Sequence, residues 1–276
     1  MKLCTTVQEM RQERAKLGTV GFVPTMGFLH EGHLSLVRRA REENEAVVVS
    51  LFVNPIQFGS PDDLANYPRA VERDIALLQK EGVACVFTPD AAEFYPDGFA
   101  TQVDVGGVAQ ELEGPSRPGH FAGVATVLTK FFNIVQPQRA YFGQKDAQQC
   151  AVVQRFVQDL NIPVEITTLP TWREANGLAG SSRNSRLTEE ERSRAPVLHQ
   201  ALCRARDLAR GGERRRMVLE EAIRDVLVKA GLTEIDYVTV VNPETFQTEE
   251  TVGETALALL AVKLGAVRLI DNMPLF

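Results

Sequence analysis

The run Ala46-Val47-Val48-Val49-Ser50-Leu51-Phe52-Val53 constrains the fold of this chain most. It is almost unbroken in apolar and β-branched residues, so it offers no polar face to water and predicts a parallel strand covered on both sides. A second feature agrees with it. Val20-Gly21-Phe22-Val23, the turn-rich Pro24-Thr25-Met26-Gly27-Phe28-Leu29-His30-Glu31-Gly32-His33, and then Leu34, Val37 and Ala40 at helical spacing read as a first βα unit. Such a junction aims backbone N–H groups and the positive end of a helix dipole at an anion. His30 and His33 fall at that point. Arg38, Arg39, Arg41, Glu42 and Glu43 read as the solvated face of the helix that follows.

Upstream, Thr6-Val7-Gln8-Glu9 has the capping-box pattern and predicts a short helix ahead of the first strand. The apolar run leads into Asn54-Pro55-Ile56-Gln57-Phe58, at the strand end where open α/β sheets hold their ligands. Asn54 and Gln57 read there equally well as turn residues. Tyr67-Pro68-Arg69 leads to a helix through Val71, Ile75 and Leu78, with Asp74 early in it as an unremarkable surface carboxylate, and then to a strand at Ala84–Phe87. Residues 89–119 read as loops with one strand candidate, Gln102–Val105, before a buried helix through Val124, Val127, Leu128, Phe131 and Val135.

Arg139-Ala140-Tyr141-Phe142 is the next strand, and it meets Gly143-Gln144-Lys145-Asp146-Ala147-Gln148-Gln149 at a second strand-to-helix junction. Lys145 suits phosphate charge and Asp146 suits ribose hydroxyls; a plain helix start with a dipole-favoured aspartate is the alternative. After a strand at Val164–Thr167, Thr171-Trp172-Arg173-Glu174-Ala175-Asn176-Gly177-Leu178-Ala179-Gly180-Ser181-Ser182-Arg183-Asn184 lacks periodicity. It reads as a mobile loop closing on phosphate oxygens, or as a linker. A long helix from the Thr188 cap to Gly211-Gly212, a second from Arg214 to Gly231, and strands at 235–241, 255–262 and 267–270 complete the chain. The organisation expected is a Rossmann-like parallel-sheet domain over residues 1–172 and a smaller α+β lid domain over 173–276.

Composition excludes several classes. A net charge of −6 with 44% hydrophobic and 24% charged residues gives no reason to expect nucleic-acid or membrane partners. Cys4, Cys85, Cys150 and Cys203 are separated in sequence, form no C-x-x-C, and read as reduced thiols. No run reaches the ~20 apolar residues that span a bilayer, and Met1–Thr6 leads into no signal-like stretch, so a cytoplasmic protein is expected. There is no G-x-x-x-x-G-K-[ST], no G-x-G-x-x-G opening a helix after a strand, and no nucleophile elbow. Phosphate-facing groups collect instead at three junctions: His30 with His33, Lys145 with Asp146, and Ser181 through Arg183. Positioned His and Lys donors suit displacement at a phosphorus atom, which points to the α-phosphate of a nucleotide.

Pro24-Thr25-Met26-Gly27-x-x-His30-x-Gly32-His33 resembles the H-x-G-H signature of the nucleotidylyltransferase superfamily, in the form carried by the pantothenate synthetase (pantoate–β-alanine ligase) family. Phe52-Val53-Asn54-Pro55-x-Gln57-Phe58, Tyr67-Pro68-Arg69, Leu112-Glu113-Gly114 with Arg117-Pro118-Gly119-His120-Phe121, Phe142-Gly143-x-Lys145-Asp146-x-Gln148-Gln149 and Gly177-Leu178-Ala179-x-Ser181-Ser182-Arg183-Asn184 follow in that family's order and spacing. The resemblance implies a two-step reaction. Pantoate carboxylate attacks the α-phosphorus of ATP to give pantoyl adenylate and pyrophosphate, and the amine of β-alanine then displaces AMP to give pantothenate.

It also implies roles. His30 and His33 stabilise the transition state at the α-phosphorus; Lys145, Ser181 and Arg183 hold the β- and γ-phosphates. Met26, Gly143, Asp146 and Ser182 join them in binding ATP, with Gly143 and Asp146 at the ribose. Gln57, Gln149 and Asn54 bind pantoate, and Asp74 matches a carboxylate associated with Mg²⁺ through water. A homodimer is implied as well. Asn176 stands where the family usually has aspartate and Trp172 where a smaller aliphatic is commoner; Asn176 keeps the turn and drops a charge. Two rival readings are another H-x-G-H transferase, such as one acting on phosphopantetheine, and a nucleotide-binding module without turnover.

Overall fold

A sheet of six parallel strands organises Met1–Gly143 and Val152–Leu169. In chain order these are β1 (Lys2–Cys4), β2 (Val20–Thr25), β3 (Ala46–Leu51), β4 (Cys85–Phe87), β5 (Arg139–Gly143) and β6 (Glu165–Leu169). The computed structural model describes residues 1–276. Every residue of β3 is buried, and the reason is visible on its two faces. On one, Val47, Val49 and Leu51 pack with Val37 and Ala40 of helix Glu31–Glu43 and Leu78 of helix Val71–Lys80. On the other side, Phe131 of helix His120–Val135 gathers Phe22 at 5.5 Å and Phe87 at 6.0 Å between ring centroids. A strand enclosed in this way has no use for polar alternation.

The strand order is β1-β4-β3-β2-β5-β6, so the chain winds outward from β2 in both directions and the topological switch lies between β2 and β5. Pairing across that switch is short. β2 and β5 pair only at Gly21↔Arg139 and Phe22↔Ala140, whereas β2–β3 pairing continues to Thr25↔Leu51 and β5–β6 pairing to Gly143↔Leu169. The carboxyl ends of β2 and β5 therefore part, and this is where a doubly wound sheet forms its ligand crevice.

The second unit comprises Gln144–Ala151 and Pro170–Phe276. It is built on an antiparallel sheet, β7 (Ile235–Val241), β8 (Leu257–Leu264) and β9 (Val267–Pro274), in that order. Leu198 and Leu202 of helix Val197–Arg210 and Leu219, Ile223 and Leu227 of helix Arg216–Lys229 close one core with Val238, Val240, Ala258, Leu260 and Val262. Unlike the sequence reading, this unit takes in Gln144–Ala151.

Four expectations about elements are corrected. An edge strand, β1, precedes the first helix and pairs with β4; three residues are too few to show periodicity. Gln102–Val105 forms no strand, because the Val103 N–H donates to Thr126 Oγ1 at 2.9 Å instead of to a neighbouring strand. The long helix after Thr188 is two helices, Glu189–Arg194 and Val197–Arg210, divided at Pro196, which has no N–H to continue the ladder. Finally, β8 and β9 run to Leu264↔Val267, so the turn is centred on Gly265 at φ 58° and β9 extends well past Ile270.

Candidate active site

Strand β2 ends at Thr25, whose Oγ1 donates to Ser50 O at 2.7 Å and accepts from the Gly27 N–H at 3.1 Å. The backbone then turns through the left-handed region at Gly27 (φ 82°) and Phe28 (φ 50°). For Phe28 that conformation costs roughly 1–2 kcal/mol. Asp74 holds it: its carboxylate accepts from Phe28 N at 2.6 Å and Leu29 N at 2.9 Å. Arg73 adds a hydrogen bond to Leu29 O at 3.0 Å and lies over the Phe28 ring. Asp74 is 1% exposed, which corrects its reading as a surface carboxylate. Burial raises its pKa above the ordinary value, while the amide donors and Arg73 pull it down.

The two histidines that follow begin helix Glu31–Glu43 in an unusual way, for they form the capping box themselves. His30 is the N-cap and its Nδ1 accepts from Gly32 N at 3.1 Å; His33 is three residues on and its Nδ1 accepts from His30 N at 3.3 Å. The ring centroids are 4.0 Å apart. A ring nitrogen that accepts an N–H carries no proton, so each neutral imidazole holds its hydrogen on Nε2. The H-x-G-H spacing thus does two jobs: it satisfies helix-start amides and it fixes both rings as Nε2–H donors.

At the end of β3, Asn54 and Gln57 are 1% and 7% exposed and are not free turn residues. Asn54 Nδ2 donates to Gln57 Oε1 at 2.9 Å and to Gly123 O at 3.1 Å, and Asn54 Oδ1 accepts from Tyr95 OH at 2.8 Å. Gln57 Nε2 lies 3.1 Å from Met26 Sδ. The main chain of Gln57 is held too, with its carbonyl 2.9 Å from His120 Nδ1 and Arg117 Nη1 2.9 Å from His120 Nε2. Gly123 makes the approach possible: a Cβ there would lie 2.5 Å from Ile56 O and 2.7 Å from Gln57 Cα.

The second unit carries the other predicted residues. Lys145 is largely covered, with Nζ 3.5 Å from Asp146 Oδ1, and Asn272 Nδ2 donates to both Gln144 O and Lys145 O at 2.8 Å. Gln149 follows, half-buried on helix Ala147–Asp159. Next to Asn272, Asp271 takes a bidentate bond from Arg173 at 2.6 and 2.9 Å, and Arg173 also donates to Gly177 O at 3.1 Å. The residues 171–184 are consequently ordered by specific bonds: a bridge at Arg173↔Ala179, a turn with Gly177 at φ 93°, and a short 3₁₀ segment Ser182–Arg186. Asn176 keeps that turn by accepting from Leu178 N at 3.0 Å, and Ser181 Oγ accepts from Arg183 N at 3.2 Å. Asp271 and Asn272, which both bond Arg173, were missed in the sequence. The available signal was the polar pair Asp271-Asn272 directly after the apolar Leu269-Ile270 in β9.

The residues present do not make a protein cage for Mg²⁺. Both Asp74 oxygens are committed to amide donors, and no group of three His, Cys, Asp or Glu side chains is placed to hold a cation. Within the first unit the structure brings His30, His33, Met26, Asn54, Gln57, Asp74 and Gly143 to the carboxyl ends of β2, β3 and β5. Lys145, Asp146, Gln149, Ser181, Ser182 and Arg183 belong to the second.

A doubly wound parallel sheet with His30 and His33 at the helix start after β2, beside its switch point, places the chain in the class of α/β proteins with a ligand crevice at the sheet's carboxyl edge. Comparison with known proteins narrows the class. The pantoate-beta-alanine ligase family model matches residues 2–274. The pantothenate synthetase of Gluconobacter oxydans is 62% identical over 275 residues and all of both chains. That of Roseiflexus sp. is 54% identical over 273 residues, 99% of this chain and 98% of its own. Among solved structures, pantothenate synthetase from Thermus thermophilus superposes with a TM-score of 0.96 at 48% identity over the whole of both chains. A pantoate-beta-alanine ligase from Francisella tularensis, complexed with beta-gamma ATP and beta-alanine, does so with a TM-score of 0.82 at 33% identity, covering 100% of this chain and 98% of its own. The chain belongs to the pantoate–β-alanine ligase family.

Proposed function

We propose that the chain joins pantoate to β-alanine through a pantoyl-adenylate intermediate. The overall reaction, ATP-dependent amide formation, is that of its family; the sequence of steps and the residue roles are the proposal. In the first step a pantoate carboxylate oxygen attacks the α-phosphorus, the bond to the bridging oxygen breaks, and pyrophosphate leaves. No general base is required, because a carboxylate is ionised at neutral pH. In the second step the amine of β-alanine attacks the acyl carbon, and AMP leaves with the oxygen that pantoate contributed.

The observation that carries this reading is the histidine capping box. Its two neutral Nε2–H donors suit an α-phosphate whose nonbridging oxygens gain charge as the nucleophile arrives, and donors already fixed by backbone bonds need no reorganisation. In the same reading Lys145, Ser181 and Arg183 hold the β- and γ-phosphates and neutralise the leaving pyrophosphate, with Met26 and Ser182 also at the nucleotide. Gly143 and Asp146 position the ribose, and Gln57 and Gln149 bind pantoate. Mg²⁺ enters only as the ion accompanying the ATP phosphates, and no step is routed through the protein's carboxylates. The enzyme is taken to be a cytoplasmic homodimer. Pantoate labelled with ¹⁸O in its carboxylate tests the steps: one label is expected in the phosphate of AMP. Label appearing instead in inorganic phosphate or pyrophosphate would mean attack elsewhere on ATP and would overturn the adenylate.

A further inference from the structure

We infer that Tyr95 and Asn54 act as a pair that fixes the polarity of the Gln57 carboxamide, turning it into a dedicated N–H donor to a substrate oxygen. The inference rests on the reading that Gln57 binds pantoate, and it deepens that reading by naming what sets the selectivity.

A primary amide presents a donor at one end and an acceptor at the other, and which end faces a ligand must be set by its surroundings. The surroundings here permit one answer. Gly123 contributes a carbonyl, which only accepts, so the end of Asn54 3.1 Å from it is the NH₂. The second hydrogen of that NH₂ points to Gln57 at 2.9 Å and requires an acceptor there, so Gln57 turns its Oε1 to Asn54. Tyr95 completes the assignment by donating its O–H to Asn54 Oδ1 at 2.8 Å. With its oxygen occupied, Gln57 has Nε2 to offer, on the side of Met26. Flipping Asn54 would set its oxygen against the Gly123 carbonyl and Gln57 Oε1, and flipping Gln57 would set NH₂ against NH₂; either change leaves buried groups unsatisfied.

The backbone under Gln57 is fixed by the same logic. The Gln57 carbonyl only accepts, so His120 Nδ1 donates to it, and His120 Nε2 accepts from the Arg117 guanidinium. The Tyr95 ring is anchored independently of its hydroxyl, with Phe94 and Phe99 centroids at 5.2 and 5.0 Å and the Lys130 ammonium 5.5 Å from its own centroid. Burial pushes the Tyr95 phenol up, so it stays protonated and donating throughout the neutral range. The product of this arrangement is a site that accepts ligands presenting carboxylate or hydroxyl oxygens and disfavours those presenting N–H at the same point.

Because the ring is held by its neighbours, Tyr95→Phe removes the hydroxyl and little else. The expected result is a rise in KM for pantoate of about 3- to 10-fold, the worth of one net hydrogen bond. KM for ATP stays unchanged, and the thermal midpoint falls by a few degrees because Asn54 Oδ1 is left buried without its donor. Gln57→Ala supplies the control and the second arm. It raises KM for pantoate on its own, and in its background Tyr95→Phe and Asn54→Asp add nothing, since both act through the carboxamide. An additive effect of Tyr95→Phe in the Gln57→Ala background, or no effect of Tyr95→Phe in the native chain, would overturn the positioning role while leaving Gln57 as a pantoate ligand. If Gln57→Ala itself leaves KM for pantoate unchanged, the binding role of Gln57 fails, and the inference falls with it.

Discussion

At the scale of single residues, the H-x-G-H signature is local chemistry before it is catalysis. His30 and His33 satisfy amides that any helix start leaves open, and that task decides which ring nitrogen is left to donate. Replacing His33 by alanine separates the two roles. Losing the cap bond is expected to lower stability by about 1 kcal/mol in urea unfolding. Losing a preorganised donor is expected to slow pantoate-dependent adenylate formation by roughly 10²- to 10³-fold. A rate loss under about threefold would contradict the catalytic role while leaving the cap intact. A second residue makes stability depend on pH. Burial, and then the nearby Arg173 charge, lower the pKa of His199, which lies beneath the Gly177 turn. The folded state therefore holds His199 neutral where the unfolded chain binds a proton, and its contribution is lost as pH falls from the ordinary histidine pKa of about 6.5 toward the lower folded value. Unfolding followed from pH 7 to 5 is expected to show this slope, and His199→Gln to reduce it; an unchanged slope would contradict the assignment.

At the scale of elements, the central strands were legible because their environment is simple. β2 and β3 are enclosed by helices, and unbroken apolar character follows from that enclosure alone. Elements set by tertiary pairing or by one backbone atom were not: β1 exists because β4 offers it an edge, and Gln102–Val105 lost its strand to a threonine hydroxyl on a helix. Asp74 illustrates the same limit, since no pattern in its helix shows that it turns inward to hold Phe28 and Leu29. The helix His120–Val135 and the Pro55–Gln57 turn are matched through Gly123. Gly123→Ala would force a Cβ against the Gln57 backbone, a contact with nowhere flexible to yield. The expected outcome is a loss of about 1–3 kcal/mol in stability together with a raised KM for pantoate. A variant of native stability and native KM would show that the turn does not need that close approach.

Across the whole molecule, the sequence and the structure divide the labour differently. The motifs carried the family, because their order and spacing are written in the sequence itself. What supports them was hidden: Asn272 lies 127 residues from the Lys145 carbonyl it holds, and Asp271, 98 residues from Arg173, fixes the guanidinium that holds the Gly177 turn. Contacts across such separations leave no periodicity to read. In the proposed order of steps the carboxylate of pantoate attacks the α-phosphorus before β-alanine takes part. The direct measurement is exchange of labelled pyrophosphate into ATP with pantoate present and β-alanine absent. Exchange that requires pantoate and proceeds without β-alanine is the expected result; exchange appearing only once β-alanine is added would contradict it.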